Sequence, residues 1–178
     1  MHDKFYTMIY RFRVILDTHE DVFRDIEIEA TATLEDFHNA ITQAFGFGGQ
    51  EMASFYTSNE VWEQNEEIAL FDMSEEPGQL RVMNETIVED VVSEDETKLI
   101  YVYDFLNMWT FLVELAEIAE PEVGMIYPNL MFAHGEIPDE APDKEFIAEG
   151  GEDDDGFDEE YDLDPEDYDN LDFDENWN

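Results

Sequence analysis

The chain contains no cysteine and only seven Lys and Arg residues among its 178 residues. Without cysteine it can form no disulfide, no thiolate metal site and no cysteine nucleophile. The seven bases face 49 Asp and Glu residues, so the formal net charge is -42. Proteins hold nucleic acids through Lys and Arg contacts to phosphate groups. The scarcity of bases therefore argues against direct nucleic-acid binding.

Long apolar runs are also missing. In the apolar region around Trp109, the longest stretch without a charged residue covers only 105–113, whereas a helix needs roughly 20 apolar residues to span a bilayer. The first residues lack the basic and apolar regions of a secretory signal. From these absences we expect a cytoplasmic protein with no membrane contact.

The acidic residues are distributed unevenly along the chain. Residues 1–138 contain 29 acids and 6 bases, whereas residues 139–178 contain 20 acids and one base. Such a density of carboxylates opposes collapse by self-repulsion, while the hydrophobic residues, 43% of the chain, can supply a core. The sequence predicts two parts: a folded domain over 1–138 and a mobile segment over 139–178, called here the acidic tail.

Two alternating segments near the N-terminus predict a β-hairpin. Residues 5–16 and 22–30 each place apolar side chains on one side and polar side chains on the other. A turn centred on His19 would set the register of the two strands. Two cross-strand ion pairs follow from that register, Arg11 with Glu27 and Arg13 with Asp25. Pairing is the favoured explanation of these arginines, and anion binding is the alternative.

A helix should follow the hairpin, because Thr33 can cap its N-terminus and Gly46 suits its C-terminal exit. Further segments have the character of strands, and Thr86 has capping-box spacing for a short helix ending near Val92. The fold class is therefore α+β: a mixed, largely antiparallel sheet on one main helix, with a β-grasp-like start. The buried helix stripe and the later strands are predicted at Leu34, Phe37, Ile41, Ala44 and Phe45, and at 52–56, 61–62, 68–71, 99–103 and 109–115. Beyond Pro121 the chain is expected to be irregular.

Four landmarks in order carry a resemblance to a known family: the strand 10–14, the helix 34–47 with His38, the Tyr103-Asp104-Phe105 segment followed by Trp109, and Tyr127-Pro128. Together they resemble the plasmid pRiA4b Orf-three-like family over about residues 5–140. The resemblance implies a link to mobile elements, since these proteins are also known as TnpR-type passengers of insertion elements. The chain departs from the family's Tyr-Asp-Phe-Gly-Asp-x-Trp pattern, having Leu106-Asn107-Met108 where the glycine and second aspartate stand.

Asp104 is the carboxylate best placed for chemistry, since it ends a strand between aromatic residues. Burial there could raise its pKa into a catalytic range, and Tyr103 and Trp109 could line a pocket for a small molecule beside it. The favoured alternative is that Asp104 hydrogen-bonds amides in the hairpin turn. No set of histidines has metal-ligand spacing, so no metal and no cofactor is expected.

Aromatic residues punctuate the acidic tail at short intervals. Acidic residues that alternate with aromatic rings suit a segment that docks on a basic protein, because the charges steer the encounter and the rings anchor it. An inert solubilising tail is the alternative. The five rings are Phe157, Tyr161, Tyr168, Phe173 and Trp177.

The sequence leaves two functional hypotheses. The first is a non-enzymatic interaction module whose acidic surface and tail bind a basic protein, such as one that handles DNA. The second is a divalent-metal-dependent hydrolase or nuclease-like enzyme that uses carboxylates near Asp104. Repulsion between this anionic chain and a phosphodiester weighs against the second. The sequence does not indicate an oligomeric state.

Overall fold

The predicted N-terminal hairpin is present in the computed structural model, which describes residues 7–142 except 74, 77 and 79. Strands β1 (Ile9–Leu16) and β2 (Phe23–Glu29) pair antiparallel, with Arg11 opposite Glu27 and Arg13 opposite Asp25. Both predicted ion pairs form, each with a nitrogen to oxygen distance of 2.8 Å. The predicted register is therefore confirmed, and the pairing interpretation of these two arginines with it.

Helix α1 (Leu34–Phe45) begins and ends as the sequence predicts. The Thr33 hydroxyl accepts a hydrogen bond from the Asp36 amide, and the Asp36 carboxylate accepts one from the Thr33 amide. Gly46 ends the helix with φ of 84°, a left-handed conformation that glycine adopts at low cost. The apolar stripe packs on the sheet as expected, except that Ala44 is only half-buried and His38 and Thr42 join the buried face.

In the part of the chain that the structure describes, eight strands form one sheet in the order β5-β4-β3-β6-β7-β1-β2-β8. All pairs are antiparallel except β4 with β5, so the α+β prediction of a mixed, largely antiparallel sheet is confirmed. The remaining elements are β3 (Ala53–Ser58), β4 (Gln64–Ala69), β5 (Arg81–Val82), a 3-10 turn (Met83–Glu85), α2 (Val88–Val91), β6 (Lys98–Tyr103), β7 (Trp109–Ala119) and β8 (Asn129–His134).

Three local predictions are wrong. Residues 61–62 form a turn instead of an extended segment. The short helix α2 exists, but Thr86 does not cap it, because its hydroxyl donates to the Val82 carbonyl and Ile87 occupies the N-cap position. Residues 129–134, expected to be irregular, form strand β8 at the outer edge of the sheet beside β2.

The core lies between α1 and one face of the sheet. Phe37 of α1 contacts Phe12 of β1 and Phe55 of β3, at ring-centroid distances of 4.5 Å and 5.6 Å. All three rings are fully buried. Ile137 and Ala141 also pack on this core. Within the described residues, no helix is long and apolar enough to cross a membrane.

Gly135 follows β8 at a point where the chain lies against the β1–β2 turn. Its φ is 81°, and an added Cβ would press on the Asp21 carbonyl oxygen and on Val22. Gly124 has a nearly equal φ of 87° with open space around it. The two glycines therefore separate the cost of the left-handed backbone from the cost of steric overlap.

We expect Gly135→Ala to lower the free energy of unfolding by about 2–4 kcal/mol, because backbone strain and overlap with rigid backbone add together. Gly124→Ala should lower it by only about 1 kcal/mol, from the backbone term alone. Urea unfolding followed by tryptophan fluorescence measures both values. Equal losses for the two variants would contradict the close packing at Gly135.

Candidate functional site

Asp104 lies in the turn between β6 and β7, with φ of 66°. One of its carboxylate oxygens accepts hydrogen bonds from the Leu106 and Asn107 amides, at 3.2 Å and 3.4 Å. The other accepts one from the Asn107 side-chain amide at 2.7 Å. These contacts stabilise a turn that lacks the glycine of the family pattern. They are the contacts expected from the turn interpretation of Asp104.

Tyr103 and Trp109 face each other across the β6–β7 pair, directly before and after this turn. Both are buried, and the ring of Phe47 packs against both, with centroid distances of 4.7 Å and 5.1 Å. The Tyr103 hydroxyl accepts a hydrogen bond from the Gly49 amide at 3.0 Å. These rings therefore contribute to the core and hold the segment after α1. The five aromatic residues of the acidic tail lie outside the described residues.

A polar cleft of about 700 Å³ lies at the β5 end of the sheet, and Asp104 is not among its lining residues. It is bounded by the β3–β4 turn, the start of β5, helix α2 and the loop that leads into β6. We call it the acidic cleft. Its lining comprises Thr57, Ser58, Asn59, Glu60, Glu63, Gln64, Asn65, Glu66, Arg81, Asp90, Val91, Asp95, Glu96, Thr97 and Lys98.

The Asn59 side chain makes three hydrogen bonds within the β3–β4 turn that forms one wall of the acidic cleft. Asn59 accepts hydrogen bonds from the Val61 and Glu63 amides, both at 3.0 Å, and donates to the Glu63 carboxylate at 2.7 Å. Trp62 follows with φ of 65°, and its ring lies 5.3 Å from the Lys98 ammonium. The wall is thus fixed by local hydrogen bonds, although its carboxylates are exposed.

Carboxylates outnumber cations in the acidic cleft by six to two. Both cations already have partners within the protein. Arg81 binds Glu66 at 3.2 Å, and Lys98 binds Glu114 at 3.1 Å. Clustered carboxylates with one sign of excess charge focus a negative potential into a concave surface. The cleft is therefore suited to a cationic group that enters from solvent.

Sequence reasoning found the overall acidity but not this cleft. Its lining comes from four separate segments between residues 57 and 98, and no local spacing links them. The excess of acids in three of the segments is visible in the sequence, but the pairing of β3 with β4 and β6 brings the segments together.

A buried polar pair was also missed. The His38 Nδ1 lies 2.6 Å from the Tyr101 hydroxyl, and both side chains are buried between α1 and the sheet. Burial lowers the pKa of His38 to about 4, and burial raises the pKa of Tyr101 well above its usual value. Both groups are therefore neutral at pH 7, and the hydrogen bond gives the His38 Nδ1 and the Tyr101 hydroxyl a partner inside the core.

Among residues 7–142, apart from the three positions left out, no group of three or more His, Asp and Glu side chains is arranged to hold a metal ion. The neutral His38 of the core has Tyr101 as its partner instead of a carboxylate. The described part of the chain therefore presents a cation-attracting cleft but no assembled metal centre.

Comparison with known proteins identifies the fold and the family. A crystal structure of a protein of unknown function from Methanosarcina mazei Go1 superposes with a TM-score of 0.62 at 19% identity, covering 72% of this chain and 70% of that chain. At this identity the likeness establishes the fold alone. A search of curated proteins gives no match. The family model described as plasmid pRiA4b ORF-3-like protein matches residues 8–147, in agreement with the four sequence landmarks. The chain therefore belongs to the plasmid pRiA4b ORF-3-like family.

Proposed function

We propose that this protein is a non-enzymatic interaction module that binds a basic partner protein. The acidic cleft is the site on the folded domain, and the acidic tail adds a second, sequence-distant contact. The resemblance to insertion-element passengers suggests a partner that handles DNA, since such proteins carry the Lys and Arg residues that contact phosphate.

The observation that carries the proposal is the excess of carboxylates in the acidic cleft. Because Arg81 and Lys98 are already paired with Glu66 and Glu114, the other carboxylates of the lining are available to an incoming cation. Exposed charges contribute modestly to affinity one by one but strongly to the rate of encounter. A partner with several Lys or Arg side chains would therefore associate quickly and in a salt-dependent way.

The metal-dependent hydrolase has less support. The Asp104 carboxylate is engaged with the turn residues Leu106 and Asn107. Tyr103 and Trp109 are packed under Phe47. No observation on the described residues therefore favours that second function.

A binding experiment on the full chain tests the proposal. The probe is a fluorescently labelled oligolysine peptide, and the variant combines Glu60→Gln, Asp95→Asn and Glu96→Gln at exposed positions of the acidic cleft. We expect about tenfold weaker binding at low salt, from three lost charge contacts of roughly 0.5 kcal/mol each. Moderate salt should narrow the difference between variant and wild type.

The matched control removes three carboxylate charges outside the cleft, with Glu20→Gln, Glu120→Gln and Glu136→Gln at exposed positions. It reduces the net negative charge by the same amount, so any greater loss of binding in the cleft variant is due to the cleft itself. Equal losses in the two variants would refute the cleft as the binding site. A third variant replaces the five tail rings with Ser while keeping every carboxylate. Unchanged binding in that variant would count against aromatic anchoring by the tail.

A further inference from the structure

Strand β8 is an outer strand of the sheet with no charged residue in its sequence Asn129–His134. Its only strand partner among the described residues is β2. Edge strands usually resist pairing with other chains through charged residues, prolines or bulges. β8 has one such device, a register shift opposite Asp25 and Ile26, but no charge.

Exposed apolar side chains concentrate at this edge. Of the twelve large apolar side chains that are exposed in the described part of the chain, six lie between residues 123 and 132. Leu130 borders a groove with Ala40 and Ala44 of α1, on the helix side of the sheet. Met131 borders the groove of the opposite face, and the Phe132 ring contacts Phe23 at 5.9 Å. Both faces of the edge therefore carry exposed apolar side chains, although the groove beside Met131 is also lined by paired charges such as Arg13 and Asp25.

The charge around β8 differs from the charge of the rest of the molecule. Residues 123–135 contain no Asp or Glu. The adjacent β1–β2 hairpin holds three arginines, of which Arg11 and Arg13 neutralise Glu27 and Asp25. The third, Arg24, donates to the His134 carbonyl at 3.0 Å and so fixes the end of β8. The acidic cleft lies at the other end of the sheet, at β3, β4 and β5.

This difference in charge between the two ends of the sheet indicates which kind of partner fits the β8 edge. Two copies of so anionic a chain repel each other, and the repulsion is weakest where acids are absent or neutralised. A two-fold axis at β8 brings the neutral edges together and leaves the two acidic clefts at opposite ends of the joined sheet. A basic partner, in contrast, finds no excess of carboxylates at this edge.

We propose that β8 pairs antiparallel with β8 of a second copy, which gives a two-fold dimer with a continuous sixteen-stranded sheet. Backbone hydrogen bonds and the exposed apolar side chains of residues 123–132 form the contact. Symmetric pairing of identical edges closes the assembly at two copies. This inference does not depend on the proposed binding of a basic protein.

Sedimentation velocity and light scattering on the full chain test the dimer. We expect the mass of two 20.9 kDa chains, with tighter association at higher salt because screening reduces the repulsion between copies. Phe132→Lys should raise the dissociation constant of the dimer by about tenfold or more, since it replaces an interface ring with a charge. The added lysine also makes the chain less anionic, so greater repulsion between the net negative charges of the two copies cannot cause the loss.

Leu106→Lys is the matched control, because it makes the same kind of change at a side chain that is 90% exposed in the β6–β7 turn. It should leave the dimer intact. The absence of cysteine permits a second readout: a spin label at Ala133→Cys should show dipolar broadening that a label at Leu106→Cys does not. A monomer at every concentration and salt would overturn the proposal. So would a dimer that Phe132→Lys leaves unchanged, or one in which the Ala133 label shows no broadening.

Discussion

Phe37→Ala is expected to lower the free energy of unfolding by about 3–5 kcal/mol, the usual cost of removing a buried phenyl ring. Phe37 is fully buried and connects α1 to two strands that are not neighbours, through Phe12 of β1 and Phe55 of β3. Because β6 and β7 lie between those strands, the ring spans the centre of the sheet. Its loss leaves a cavity under helix α1.

Urea unfolding followed by far-UV circular dichroism measures the effect of Phe37→Ala. Phe105→Ala is the matched control, because Phe105 is an exposed phenylalanine in the β6–β7 turn and its truncation should change stability by no more than about 0.5 kcal/mol. A loss below about 1 kcal/mol for Phe37→Ala would mean that the helix does not pack through this ring. If Phe37→Ala does not fold, Phe37→Leu provides a smaller cavity for the same comparison.

The sequence predicted the elements whose signals are local. The hairpin register followed from alternation and from two charge pairs placed symmetrically about His19, and the structure has both pairs. The limits of α1 followed from Thr33 and Gly46, whose side-chain and backbone preferences act within one helical turn. Strand β6 was recognisable because it lies between β3 and β7 and is apolar on both faces.

The failures have physical reasons. Leu130, Met131 and Phe132 are all exposed, so strand β8 shows no alternation of buried and exposed residues. The register shift beside β2 also interrupts the two-residue periodicity of a regular strand. Thr86 had the spacing of a capping box, yet its hydroxyl found a carbonyl partner at Val82 within the preceding turn. In both cases the neighbouring backbone, and not the local sequence, determined the outcome.

The functional surfaces could be predicted only in part. The charge of the chain pointed to a cationic partner, but the location of the acidic cleft required strand pairing among β3, β4 and β6. Asp104 was a candidate for chemistry because it is a carboxylate at a strand end. Its three hydrogen bonds in the turn agree with the alternative interpretation, in which it stabilises the turn. His38 was placed on α1 beside Phe37, but its partner Tyr101 lies 63 residues away in sequence.

That buried pair gives a pH dependence with a defined sign. The pKa of His38 is about 4 in the folded protein against an ordinary value of 6.5, because burial disfavours the charged imidazolium. Between these pH values the unfolded chain binds a proton at His38 that the folded chain does not. The contribution of neutral His38 to the free energy of unfolding is therefore complete above about pH 6.5, and it is lost progressively as the pH falls toward 4. At 1.36 kcal/mol per pH unit, the loss is about 3 kcal/mol by pH 4.

Comparison with His38→Gln isolates this contribution. Protonation of the many carboxylates changes stability in both proteins and largely cancels in the difference between them. From pH 7 to pH 4, the free energy of unfolding of the wild type should fall by about 3 kcal/mol relative to His38→Gln, as measured by urea unfolding at a series of pH values. Tyr101→Phe retains the buried imidazole and should keep most of the dependence, since burial and not the hydrogen bond lowers the pKa. A difference between wild type and His38→Gln that stays constant with pH would show that His38 is accessible to protons in the folded state.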